Sequence, residues 1–187
     1  MNMSRKDYNR LNNSIYNNKI YKNESITKKL IDKLDELKML RVVDNKGREV
    51  IHNVCIYGSP RIILYCLKMY ERNNLEINKK DYDNNSAIDY IGMYSISIVM
   101  DYILDMYDRL DLEIDVLNGS YMYVFEYICK SFDINIILKC LKLYIKREKF
   151  LGEYIKERSL EYLLLNIEDI NNDKYKRLID LISNESM

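Results

Sequence analysis

The chain has 187 residues, 48% of them hydrophobic and 31% charged, a globular composition that excludes a disordered chain. Its 29 basic and 29 acidic residues cancel, so no global field draws it to nucleic acid or an anionic membrane. No apolar run approaches the ~20 residues that cross a bilayer, and the opening Met1-Asn2-Met3-Ser4-Arg5-Lys6-Asp7 has no apolar stretch behind its charges, so no signal peptide is expected.

Residues 1–24 are polar, with Tyr8, Leu11 and Ile15 on one helical face and Asn12, Asn13, Asn17 and Asn18 weakening it. A short capping helix is expected there. Ser25 then opens an amphipathic helix that carries Ile26, Leu30, Ile31, Leu34, Leu37 and Leu40. Asp44-Asn45-Lys46-Gly47 signals a turn in which Gly47 supplies positive φ. Glu49 to Tyr57 follows as a short helix, with Val50, Ile51, Val54 and Cys55 as its apolar stripe. Gly58 suits a helix end, Ser59 an N-cap and Pro60 a first helical turn, so a second helix runs from Pro60 to Arg72.

The same parts then recur. Asp81-Tyr82-Asp83-Asn84 is a turn with Asn84 where Gly47 stood, and asparagine tolerates the left-handed region. Ser86 to Tyr94 is again a short helix and Ile96 to Arg109 a long one. A third copy has a turn at Asn118-Gly119-Ser120, a short helix from Met122 to Ser131 and a long one opening at Asp133 and running through Arg147. Two further helical patterns, Tyr154 to Ile167 and Asn172 to Ile182, fit a closing pair.

The period is 37 residues: Leu67, Leu104 and Leu141 keep it, as do Tyr70, Tyr107 and Tyr144. Ile26 and Leu30 lie one such period before Ile63 and Leu67, which makes the first helix a worn copy. A fixed period of this length marks stacked repeats, because one short helix pair cannot bury its apolar stripe alone. Cys55 and Cys129 are two periods apart, and so are Cys66 and Cys140; Gly92 and Ile103 take those places in the middle copy. No closely spaced cysteine pair offers a zinc site, so buried free thiols in a reducing compartment are expected.

These residues resemble the ankyrin repeat, whose unit is a β-turn finger, a short helix and a longer antiparallel helix. The first copy carries Asp44, Gly47, Val50-Ile51-His52, Val54, Gly58, Ile62-Ile63 and Cys66-Leu67 at the motif positions. The second carries Asp81, Asn84, Ser86-Ala87-Ile88-Asp89, Ile91, Ser95, Val99-Met100 and Ile103-Leu104. The third keeps Phe125, Ile128, Ile136-Ile137 and Cys140-Leu141. The family's Thr-Pro is absent from all three copies, and each is about four residues longer than the usual 33. The resemblance implies an all-α, ankyrin-like helical-repeat solenoid: repeats at 44–80, 81–117 and 118–150, between degenerate caps at 1–43 and 151–187, in a single domain.

The resemblance also implies a structural role for His52, bonded to backbone in the neighbouring turn, and a concave binding surface made of turn tips and short-helix ends. Here that surface is Asn45, Lys46, Arg48, Ile56 and Tyr57, then Tyr82, Asp83, Asn85, Met93 and Tyr94, then Ser120, Met122, Lys130 and Ser131. Asp108, Asp111, Glu113 and Asp115 form an acidic run that lacks the frame of a calcium loop and is expected to be a solvated face. No phosphate-binding glycine loop or nucleophile elbow appears among the five glycines.

The expectation is a cytoplasmic, monomeric protein–protein interaction scaffold with no catalysis, no cofactor, no metal, no nucleic acid and no membrane partner. The Asn-, Ile-, Lys- and Tyr-rich usage suits an A/T-rich genome, and with it a viral or microbial factor that binds a cellular protein in the host cytosol. An immunity or inhibitor protein that neutralises a cognate toxin is the alternative. An enzyme that groups His52 with acidic residues of other repeats is the third reading.

Overall fold

The computed structural model describes residues 17–94, 96–112, 114, 124–131 and 133–146, with isolated positions at 14, 157, 160, 161, 173, 176, 179 and 180. Among the described residues there are helices and no strands. In chain order they are α1 (Asn18–Tyr21), α2 (Glu24–Glu36), α3 (Val50–Tyr57), α4 (Pro60–Arg72), α5 (Ala87–Met93), α6 (Ser97–Arg109), α7 (Val124–Ser131) and α8 (Ile134–Lys146). The chain divides into two compact units, residues 1–90 and 91–187, with the division inside α5. The closing helix pair, Ser120 and Met122 lie outside the described stretches.

Four helices, α2, α4, α6 and α8, have 13 residues each, and their starts are 36, 37 and 37 residues apart. Three of them end in the same way. Lys38, Asn74 and Asp111 adopt left-handed φ of 57°, 51° and 54°. The next amide then reaches back to the helix: Met39 N–H to the Leu34 carbonyl (2.7 Å), Leu75 to Tyr70 (2.9 Å) and Leu112 to Tyr107 (3.0 Å). This is the Schellman termination, which satisfies carbonyls the last turn leaves open. Because none of the three residues is glycine, the sequence pattern alone carries the first helix on to Leu40, whereas it stops at Glu36. Gly58 also differs from expectation. Its φ of −81° is ordinary, and a Cβ there would come within 2.6 Å of the Val54 carbonyl oxygen. Close approach, not backbone handedness, is what requires glycine there.

In the first unit α2 packs on α4, α3 on α4, and α1 on both α2 and α3. Its core holds Tyr21, Ile31, Leu34, Ile51, Ile63, Leu67, Tyr70 and Ile77, all fully buried. The register of α2 is one residue off the sequence expectation. Ile26 is 51% exposed, while Thr27, Ile31 and Leu34 are buried one residue further on. The worn copy in α2 therefore lies 36 residues before the copy that contains α4. Thr27 is tolerated inside because its hydroxyl lies 2.7 Å from the Ile20 carbonyl and 2.8 Å from that of Asn23.

In the second unit α6 and α7 both pack on α8. Val99, Met100, Ile103, Leu104, Met106, Tyr107, Phe125, Ile128 and Leu141 form its core. Leu40, Ile77 and Ile114, at 37-residue spacing, are each buried in the segment after a long helix. All four cysteines are free and buried, and burial raises the thiol pKa of Cys55, Cys66 and Cys140.

Candidate functional site

Two five-residue fingers, Asp44–Arg48 and Asp81–Asn85, are built by the same bonds. The amide of Asp44 donates to the Arg48 carbonyl (3.0 Å) and that of Asp81 to the Asn85 carbonyl (2.9 Å). Within each loop the aspartate gathers the amides: Asp44 Oδ1 accepts from Lys46 (2.8 Å) and Arg48 (3.1 Å), and Asp81 Oδ1 from Asp83 and Asn85 (both 3.0 Å). Gly47 (φ 73°) and Asn84 (φ 60°) close the turns in the left-handed region, as their residue types suggested. The fingers are joined by a backbone bond from the Tyr82 amide to the Lys46 carbonyl (3.0 Å).

A helix residue braces each finger from behind. Asn53 Nδ2 donates to Asp44 Oδ2 (3.2 Å), and one period later the Tyr90 hydroxyl donates to Asp81 Oδ2 (2.5 Å). Burial, then the bond to Asp81, pushes the Tyr90 phenol well above its ordinary range. Arg48 Nε also donates to Asp44 Oδ2 (2.9 Å). Burial alone would raise the Asp44 pKa, but the bonds from Arg48, Lys46 and Asn53 outweigh it and hold the carboxyl below its usual value.

His52 is fully buried and bonds at both nitrogens. Nδ1 accepts the Glu49 amide (2.9 Å), so Nε2 carries the proton and donates it to the Lys79 carbonyl (2.9 Å) just ahead of the second finger. One period on, Asp89 Oδ2 accepts the Ser86 amide (2.8 Å) and hydroxyl (2.6 Å), so the two side chains cap the same position by different chemistry. Neither ring nitrogen of His52 is available to a substrate. The carboxylate of Glu49, also fully buried, is met by Arg41 and Lys79, each at 3.0 Å.

The expected contact residues therefore separate. Asn45, Lys46, Tyr82 and Asp83 are exposed at the finger tips, with Tyr82 at 77%. Its ring lies against Gly47, where a Cβ would collide with it. Arg48 and Asn85, expected on the surface, are buried instead, because each closes its own finger. Ile56 and Tyr57 are half-buried at the end of α3. Tyr57 stacks on Tyr21 (centroids 6.5 Å, planes 26° apart) and bonds to Arg48, so it is tied to the core. In the second unit Met93 is half-buried, Tyr94 is 52% exposed and Lys130 is exposed. Ser131 closes α7.

A cleft of about 320 Å³ in the first unit is lined by Asp35, Lys38, Leu40, Arg41, Asn73 and Leu75. Its carboxylate is taken by Arg72 (2.6 Å) and Asn73 (2.7 Å), and Arg41 by Glu49. The residues that reading by motif misses are Ile96 and Ile98 of the second unit, with Ile98 65% exposed. Setting the three repeats column against column reveals them, because the other copies carry polar residues there. No protein-family model matches the chain, and no curated protein matches it.

Proposed function

We propose that the chain is an ankyrin-like repeat solenoid that recognises a protein through its finger tips and short-helix ends, as a scaffold and not a catalyst. The observation that carries this reading is the division of labour in the fingers. Asp44, Arg48, Asp81 and Asn85 are buried and lock the loops, while Asn45, Lys46, Tyr82 and Asp83 are held in fixed positions facing solvent. A pre-organised surface loses little side-chain and backbone freedom on binding, which is what recognition requires. A rigid tyrosine at its centre is a characteristic hot-spot residue. The 13-residue helices at 36–37-residue spacing, three of them terminated alike, support the stacked-repeat part of the reading.

The test is the triple variant Lys46→Ala, Tyr82→Ser, Asp83→Ala, with wild type beside it, in cross-linking and capture from cells in which the protein is expressed. These side chains are exposed, so stability should shift by no more than about 0.5 kcal/mol per substitution. Capture of a specific protein by wild type and its loss in the triple variant is the expected result. Equal capture by both would remove the fingers from the binding surface.

A further inference from the structure

The middle repeat breaks the pattern of its neighbours at the turn between its two helices. The residue before the long helix is Ser59 in the first repeat and Asp133 in the third, both good N-cap types. Asp133 does cap, accepting the Asn135 amide at 2.8 Å and the Ile136 amide at 3.3 Å, whereas the Ser59 hydroxyl is turned to Glu24 and makes no cap bond. In the middle repeat the residue is Ile96, which offers the helix no side-chain acceptor. Isoleucine is among the worst N-cap residues. Two positions on, Arg61 and Asn135 of the flanking repeats correspond to Ile98, which is 65% exposed. Tyr94, 52% exposed, lies just ahead of this turn. Ile96 is half-buried, but Tyr94 and Ile98 leave apolar surface in water at places where solubility favours polar residues.

Charge marks the same repeat. Residues 81–117 contain nine carboxylates and a single cation, Arg109, a formal net of −8 in a chain whose total is zero. Residues 44–80 carry four carboxylates and seven cations. From Ile98 the exposed side of α6 continues through Asp101, Asp105 and Asp108. Lys139 meets both Asp101 (2.6 Å) and Asp105 (2.8 Å), and Arg109 lies over the Tyr102 ring (5.9 Å). The three carboxylates outnumber the two cations, Lys139 and Arg109, so the stripe keeps a formal negative charge.

We propose that this face of the second unit docks a basic segment of a partner protein, which sets an apolar side chain on Tyr94, Ile96 and Ile98 and turns lysine or arginine toward Asp101, Asp105 and Asp108. The proposal rests on the protein-recognition reading and adds to it a location and the charge of what is recognised. Apolar anchors give affinity, and the surrounding carboxylates give orientation and choice of partner.

The experiment titrates the full chain with three synthetic peptides of equal length: a helical leucine–lysine peptide, its leucine–glutamate counterpart, and a lysine–serine peptide without apolar anchors. The leucine–lysine peptide should bind about tenfold tighter than either control, and less tightly as salt rises. Ile98→Arg, the residue type of the first repeat, should weaken that binding about tenfold or more. Ile96→Asn should weaken it too, yet raise Tm by about 2–4 °C, because its side-chain oxygen can accept the first-turn amides as that of Asp133 does. That opposition of signs is not expected of a residue whose role is only structural. Equal binding of the three peptides, or unchanged affinity in both variants, overturns the proposal. Concentration-dependent self-association abolished by Ile98→Arg, with peptide affinity unaltered, also overturns it, by making the occupant a second copy of the chain. The recognition reading is judged separately, by cellular capture. A partner held equally by wild type and Ile98→Arg refutes the patch alone, whereas no capture by any form refutes recognition while the titration still decides the patch.

Discussion

His52 is the single histidine of the chain, which makes the acid response of the first unit attributable to one ring. Its pKa lies below the ordinary 6.5, first because it is buried and also because of Arg48; the Lys79 carbonyl, Asp81 and Glu49 pull the other way without prevailing. Protonating Nδ1 also means breaking the bond from the Glu49 amide, since that nitrogen would become a donor facing a donor. The sign follows. Above about pH 6.5 both folded and unfolded rings are neutral and nothing changes. Below it the unfolded chain takes a proton that the folded one refuses, so stability falls as pH falls toward the lower folded-state value. The slope is at most about 1.4 kcal/mol per pH unit. Hydrogen exchange of the amides in 44–57, followed from about pH 7.5 to about pH 5.5 and corrected for intrinsic rates, should show protection weakening through this window. His52→Gln keeps an amide donor and acceptor but cannot titrate, so it should cost about 1–3 kcal/mol at neutral pH and flatten the profile. A wild-type profile as flat as that of His52→Gln, or a decline of equal slope in both, would refute the reasoning.

Leu104→Ala removes a side chain with no exposure in the core of the second unit and should cost about 2–5 kcal/mol in urea unfolding; less than about 1 kcal/mol would mean the site collapses freely. Gly47→Ala places a Cβ at φ 73° and should cost about 1–2 kcal/mol while displacing the Tyr82 ring, an effect visible in the exposure of that tyrosine to solvent quenchers. Tyr57→Ala should destabilise the first unit by at least the ~0.5–1.5 kcal/mol of its ring pair with Tyr21. Tyr94→Ala should change stability by no more than about 0.5 kcal/mol, because that side chain is half in water.

Period and residue type alone determined a good part of this protein. The 37-residue spacing of Leu67, Leu104 and Leu141 marks one repeated core position, and all three leucines are buried. Gly47 and Asn84 announced left-handed turns because glycine is free of, and asparagine tolerant to, the penalty on positive φ, and Pro60 announced the start of a helix because its ring fixes φ. Tertiary structure decided what depends on neighbours distant in sequence. That α2 stops at Glu36, and that its register lies 36 and not 37 residues from the next copy, depends on packing against α4 and on a left-handed lysine that no propensity favours. Arg48 and Tyr57 have the residue types of an exposed interface, yet both turn inward. Asp44 offers the guanidinium a buried partner and Tyr21 offers the ring a face, and burial of that kind depends on where the chain returns in space.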